Sequence, residues 1–131
     1  MRKLALTLAA AAALSTGLAW AAIDLSDFND DMMRDMDDAI KDLEPVIAAH
    51  NAANAGADAQ VLRSGFRETE DYFARKGGAD DAVKIARKEQ DLLAQVDRFL
   101  AAADFDSAAG AARDVAHTCK NCHDVYKPLT K

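Results

Sequence analysis

The sequence predicts an all-α protein, an antiparallel four-helix bundle. Apolar residues recur at steps of three and four through four long segments. Short stretches rich in Gly, Asn and Asp separate these segments, so successive helices should be neighbours running in opposite directions. No convincing strand pattern interrupts them.

Residues 1–21 of the 131 have the make-up of a secretory signal. Arg2 and Lys3 precede an apolar run from Leu4 to Ala13, and Ala19-Trp20-Ala21 has the small-x-small pattern of a cleavage site. The apolar run is short for a membrane span, and Ser15, Thr16 and Gly17 interrupt it. Cleavage after Ala21 would leave residues 22–131, one domain with one modest core and no membrane span. Loss of Arg2 and Lys3 leaves 14 basic against 22 acidic side chains, a formal −8. That balance argues against nucleic acid as a partner.

The first helix is expected to open at Ser26, a good N-cap with Asp27 behind it. Phe28, Met32, Met36, Ile40, Leu43 and Ile47 form its apolar stripe, and Pro45 should kink or restart it. Asn51-Ala52-Ala53-Asn54-Ala55-Gly56 reads as a connecting loop. A second helix follows from Asp58 to Arg75, with Val61, Leu62, Phe66 and Phe73 inward and Gly77-Gly78 as its stop. The third starts at Asp80 and presents Val83, Ile85, Ala86, Leu92, Leu93, Val96, Phe99 and Leu100, a broad face suited to a bundle core. After a turn at Asp104-Phe105-Asp106, the last helix runs from Ser107 to Lys127 and is closed by Pro128. Its alanine-rich front half, Ala108 to Ala112, is accounted for by helix propensity.

The last helix carries Cys119-Lys120-Asn121-Cys122-His123. Two thiols at this spacing suit addition across the two vinyl groups of a haem, and the adjacent imidazole then lies where it can ligate the iron. On a helix, Cys119 and His123 share a face and Cys122 is turned by one step. A thioredoxin-type dithiol requires a preceding strand, and none is legible. A zinc site requires a second ligand pair, which His50 and His117 do not offer by spacing. A disulfide between residues three apart is geometrically awkward and closes almost no loop. The bundle is therefore expected to hold one covalently bound haem c, attached through Cys119 and Cys122 with His123 as the proximal ligand. An exported chain whose only two cysteines serve this motif needs no disulfide, which fits a bacterial periplasm.

Four helices with this motif on the last one resemble the class II cytochromes c, the cytochromes c-prime and their low-spin relatives. The resemblance extends to Asp114-Val115 before the motif and Tyr126-Lys127 after it. In the first helix, Asn29, Met33, Met36 and Leu43-Glu44-Pro45-Val46 occupy the family's places for a basic residue, the distal residue, a methionine and a hydrophobic-x-Pro-Val segment. Asn29 departs from the usual basic residue, and the middle of the chain is shorter than in typical members. The resemblance implies a haem between the first and last helices and, in many relatives, a homodimer built through the first two.

At the distal place the resemblance implies Met33 as sixth iron ligand, since the low-spin electron carriers have methionine there. The five-coordinate gas binders have an apolar or aromatic residue instead. A thioether opposite histidine raises the reduction potential and gives a centre that exchanges electrons with little rearrangement. Core filler is the plain alternative for Met33, and Met32 and Met36 stand close enough to replace it. No paired carboxylates, nucleophile–base arrangement or phosphate loop suggests an enzyme. The expected function is periplasmic electron transfer to a redox partner protein, with the acidic charge steering toward a basic docking surface. A five-coordinate cytochrome c-prime that binds nitric oxide or carbon monoxide is the competing reading. His50 is expected at the end of the first helix, where a cation is favourable. His117 is about 120° off the His123 face, so it and Arg113, Lys127 and Lys131 are expected at the surface.

Overall fold

A computed structural model describes residues 23–126. Within them the chain forms four helices, α1 Asp30–Ala48, α2 Ala52–Lys76, α3 Asp80–Ala101 and α4 Phe105–Tyr126, and no strand. Residues 1–21, and with them the expected signal peptide, lie outside the described residues, as do Lys127, Pro128 and Lys131.

Three of the four helices, α1, α2 and α4, start where a side chain satisfies a free amide, whereas α3 follows Ala79 without a side-chain cap. Asn29, not Ser26, caps α1: its side-chain oxygen accepts a hydrogen bond from the Met32 amide at 3.1 Å. The Ser26 amide is instead bonded to Asp24 Oδ1 at 2.9 Å, in a turn closed by Phe28 N to Leu25 O at 3.0 Å. Pro45 neither ends nor restarts α1, which runs on to Ala48. The expected loop at residues 51–56 is helical from Ala52 on. Asn51 caps α2 by accepting from the Asn54 amide at 3.1 Å, and Ala55 and Ala59 are fully buried. Alanine is the strongest helix former and small enough to sit where helices meet, so these residues extend the stripe. Likewise Asp104 accepts from the Ser107 amide at 3.1 Å, and α4 begins at Phe105 inside the expected turn.

Two helices end in the same way. His50 and Ala103 follow α1 and α3 in the left-handed region, at φ 56° and 53°. Behind them the Asn51 amide reaches Val46 O at 3.0 Å and the Asp104 amide reaches Phe99 O at 2.9 Å. These are Schellman caps with a side chain where glycine is usual. His50 stacks on Phe105, with ring centroids 4.3 Å apart; Ala103 is exposed. Ala103→Gly should therefore raise stability by about 0.5–1 kcal/mol, the left-handed strain outweighing the extra freedom of an unfolded glycine. An unchanged or lower urea midpoint would contradict this.

The helices run antiparallel. Lys76 at the end of α2 pairs with Asp27 just before α1, Nζ to Oδ1 2.7 Å. Tyr126 at the end of α4 donates to Asp81 at the start of α3, 2.5 Å. Arg113 early in α4 pairs with Glu44 late in α1, 2.8 Å. Each helix packs on its sequence neighbour and α1 closes the ring against α4. Met36, Leu43, Ile47, Leu62, Leu93, Val96 and Val115 fill the main core. A smaller cluster around Phe73, Ala79 and Ala82 closes one end under Ile23, Leu25 and Phe28. Val61, expected inward, is 41% exposed, because its neighbour Leu62 takes the buried position. Gly65 is where α2 meets α1: a Cβ there would overlap the Met36 side chain. Gly110 has room for one, so the small residues of α4 mark no close approach at that point.

Candidate cofactor site

Near the clustered end of the bundle the helices part around a cavity of about 560 Å³. Protein interiors otherwise pack to crystal density, and this volume is that of a ligand site, not of a packing defect.

Its walls follow from helical spacing. Cys119, Cys122, His123 and Tyr126 lie at steps of three, one and three, so they form one face of α4, and all four are half-buried along the cavity. On α1, Met33, Met36, Asp37 and Ile40 line it in the same way. Leu62, Phe66, Thr69 and Phe73 come from α2, and Ala82, Ile85, Ala86 and Glu89 from α3. The chain thus brings Met33 to the same cavity as Cys119, Cys122 and His123. Met32 is turned away and lines a separate groove with Asn29, Ser64 and Glu68. Met36 is wedged against Gly65 and only 4% exposed. Asn29 caps α1 and donates to Glu68 Oε1 at 3.0 Å.

Burial governs the electrostatics. Both cysteines are free thiols. Desolvation, then the charge of Glu89, pushes Cys119 up to about 12. Desolvation, then Asp81 and Glu89, pushes Cys122 up to about 11. Tyr126 also rises to about 12, through burial and its bond to Asp81. The cations on the wall are paired: Lys41 Nζ is 2.5 Å from Asp37, and Lys120 Nζ is 2.7 Å from Asp124.

Glu89 is the wall residue that the sequence reading missed. It is 0% exposed, and neither carboxylate oxygen has a hydrogen-bond partner among the described residues. The buried hydroxyls do: Thr69 donates to Gly65 O at 2.8 Å and Thr118 to Asp114 O at 3.0 Å. Desolvation pushes Glu89 up to about 8, with the Lys88 ammonium and then the Cys119 thiol pulling the other way. A signal for it existed. Ala82, Ala86, Glu89, Leu93 and Val96 step by four and three, which puts a carboxyl squarely in the buried register of α3.

The remaining candidates lie elsewhere. His117 is exposed, Arg113 pairs with Glu44, and His50 stacks on Phe105 beyond α1. The described residues contain no group of three or more His, Cys, Asp or Glu suited to a metal ion. None of their helices is long and apolar enough to cross a membrane.

No protein-family model matches the chain, and no curated protein or solved structure matches it.

The donors on the cavity wall fit a haem. Two sulfurs and an imidazole share one face of α4, a thioether stands on α1, and the surfaces between them are mostly apolar, with Glu89 the buried exception.

Proposed function

We propose that the protein is an exported monohaem c-type cytochrome of the class II kind that carries electrons. One observation carries this reading: the two thiols, the imidazole and the Met33 thioether all line a single, largely apolar cavity walled by all four helices. Cys119 and Cys122 would hold haem c by thioether bonds, with His123 as proximal and Met33 as distal iron ligand. Bound there, the haem would supply one-electron oxidation and reduction.

The chain's own residues supply the rest. Leu62, Phe66 and Phe73 exclude water and keep the site's dielectric low. Lys41 and Lys120 are the described wall cations available to the cofactor's carboxylates, and each is already held by an aspartate. Met36, locked against Gly65, fixes the register of α1 and with it the position of Met33. Asp30, Asp31, Asp35, Asp37, Asp38 and Asp42 are exposed along α1, an acidic face that would draw a basic redox partner. The signal-like residues 1–21 support a periplasmic location.

The test is production in a periplasmic host with haem-maturation machinery, followed by intact-mass and peptide analysis. One haem resistant to acid–acetone, linked to Cys119 and Cys122, is expected; each Cys→Ala change should remove one thioether. A haem-free mass, or haem that acid–acetone extracts from the wild type, would overturn the reading.

A further inference from the structure

We propose that the Glu89 carboxyl carries the proton for addition of the Cys119 thiol to a haem vinyl group. The inference rests on the haem reading above and concerns how the cofactor becomes attached.

Thioether formation adds an S–H bond across a C=C bond. The carbon–sulfur bond forms as the S–H bond and the vinyl π bond break, and a proton must reach the vinyl's terminal carbon. No oxidant or reductant is consumed; the co-reactant is a ferrous iron porphyrin bearing vinyl groups. In water, solvent moves the proton. In this cavity both thiols are half-buried on a largely apolar wall, so a proton carrier within that wall has a task that solvent does elsewhere.

Glu89 is placed for it. Its carboxyl shares one cavity wall with the Cys119 thiol, near enough for the thiol to lower its proton affinity. It is fully buried and lines the same cavity, and both its oxygens lack a hydrogen-bond partner. A structural carboxyl in an apolar core would be bonded, as Thr69 and Thr118 are. A neutral carboxylic acid gives a proton from one oxygen and accepts one at the other. Glu89 can therefore protonate the vinyl carbon while taking the Cys119 proton, and it ends unchanged. The other wall carboxylates, Asp37 and Asp124, are exposed and paired with Lys41 and Lys120.

The experiment mixes unmodified protein with ferrous haem under a thiol-free reductant and follows, by peptide mass analysis, the rates at which Cys119 and Cys122 become attached. Wild type should attach both. Glu89→Gln keeps the shape and removes the exchangeable acid. It should slow attachment at Cys119 relative to Cys122 by on the order of 100-fold, the scale of general acid–base catalysis, so that a Cys122-only adduct accumulates. Because the ratio of the two rates is read within one molecule, a general loss of folding or haem affinity does not imitate the effect. Equal slowing at both cysteines, or no slowing, would overturn the relay while leaving the haem reading intact. Failure of either cysteine to attach in the wild type, here and in the maturation host, would overturn both.

Discussion

The bundle without its cofactor should lose stability as pH rises from about 5 to about 8.5, and Glu89→Gln should remove most of that loss. The Glu89 carboxyl is raised from an ordinary 4.5 to about 8 because burial disfavours its charged form. Across that window the folded protein holds the proton and the unfolded chain does not, so unfolding releases a proton and higher pH favours unfolding. The slope from one such group is roughly 1.4 kcal/mol per pH unit, steepest between the two values. Over the window this sums to several kcal/mol, a large share of what a small domain has. Glu89→Gln should be nearly flat there and more stable than wild type at the alkaline end. Cys119 and Cys122 are also raised, but from 9.0, so they act only above this window. Asp27 shifts the other way, down to about 2, through its bonds to Lys76 and Tyr72, and acts only in acid. Urea midpoints at four or five pH values for both proteins check this; parallel curves would show that Glu89 is not the group responsible.

Met33→Ala should have the larger functional effect. In the loaded wild type, a thioether held on α1 would have to leave the iron before any gas could bind. The binding-competent fraction is then small, and the apparent affinity for carbon monoxide is reduced by that fraction. Removing the thioether should convert a low-spin, six-coordinate ferric spectrum to a high-spin one and tighten carbon monoxide binding by roughly 10–100-fold. Met32→Ala should leave the spectrum unchanged, since Met32 lines the groove on the other side of α1. A high-spin, five-coordinate wild type that binds carbon monoxide or nitric oxide rapidly would move the function to gas binding.

The four helices were legible because their stripes are long and regular, and the errors cluster where residue type and position disagree. Ser26 is as good a cap as Asn29 by type, but Asp24 takes the Ser26 amide into a turn, and only Asn29 precedes three helical amides. Residues 51–56 look like a loop by their Asn and Gly, yet Ala55 and Ala59 continue the spacing of Leu62, Phe66 and Phe73. Alanine carries that pattern without the hydrophobic weight that makes a stripe visible. Val61 and Leu62 are adjacent, and a narrow α2 stripe buries only the second. At the site, the common face of Cys119, Cys122 and His123 follows from their spacing on one helix, and Met33 lines the same cavity. Glu89 was not legible, because an acidic residue on a helix is ordinarily solvated and only its place in the α3 stripe marks it as buried.

The ring of helices has one seam unlike the other three. α1 to α2, α2 to α3 and α3 to α4 are each joined by three residues of chain, at 49–51, 77–79 and 102–104, whereas α1 and α4 meet with almost the whole domain between them. A bond from Met33 through the iron to His123 would act as a cross-link across that seam, closing a loop of about 90 residues, and covalent closures of that size remove roughly 4.6 kcal/mol of unfolded-chain entropy. Reversible ligation would deliver less, and it would do so only while the thioether stays bound. Each time the distal bond opens, the first helix would be tethered to the last only by packing and the Arg113–Glu44 pair. Mechanical or thermal fraying should then begin at α1 and pass along the chain from its N-terminal end.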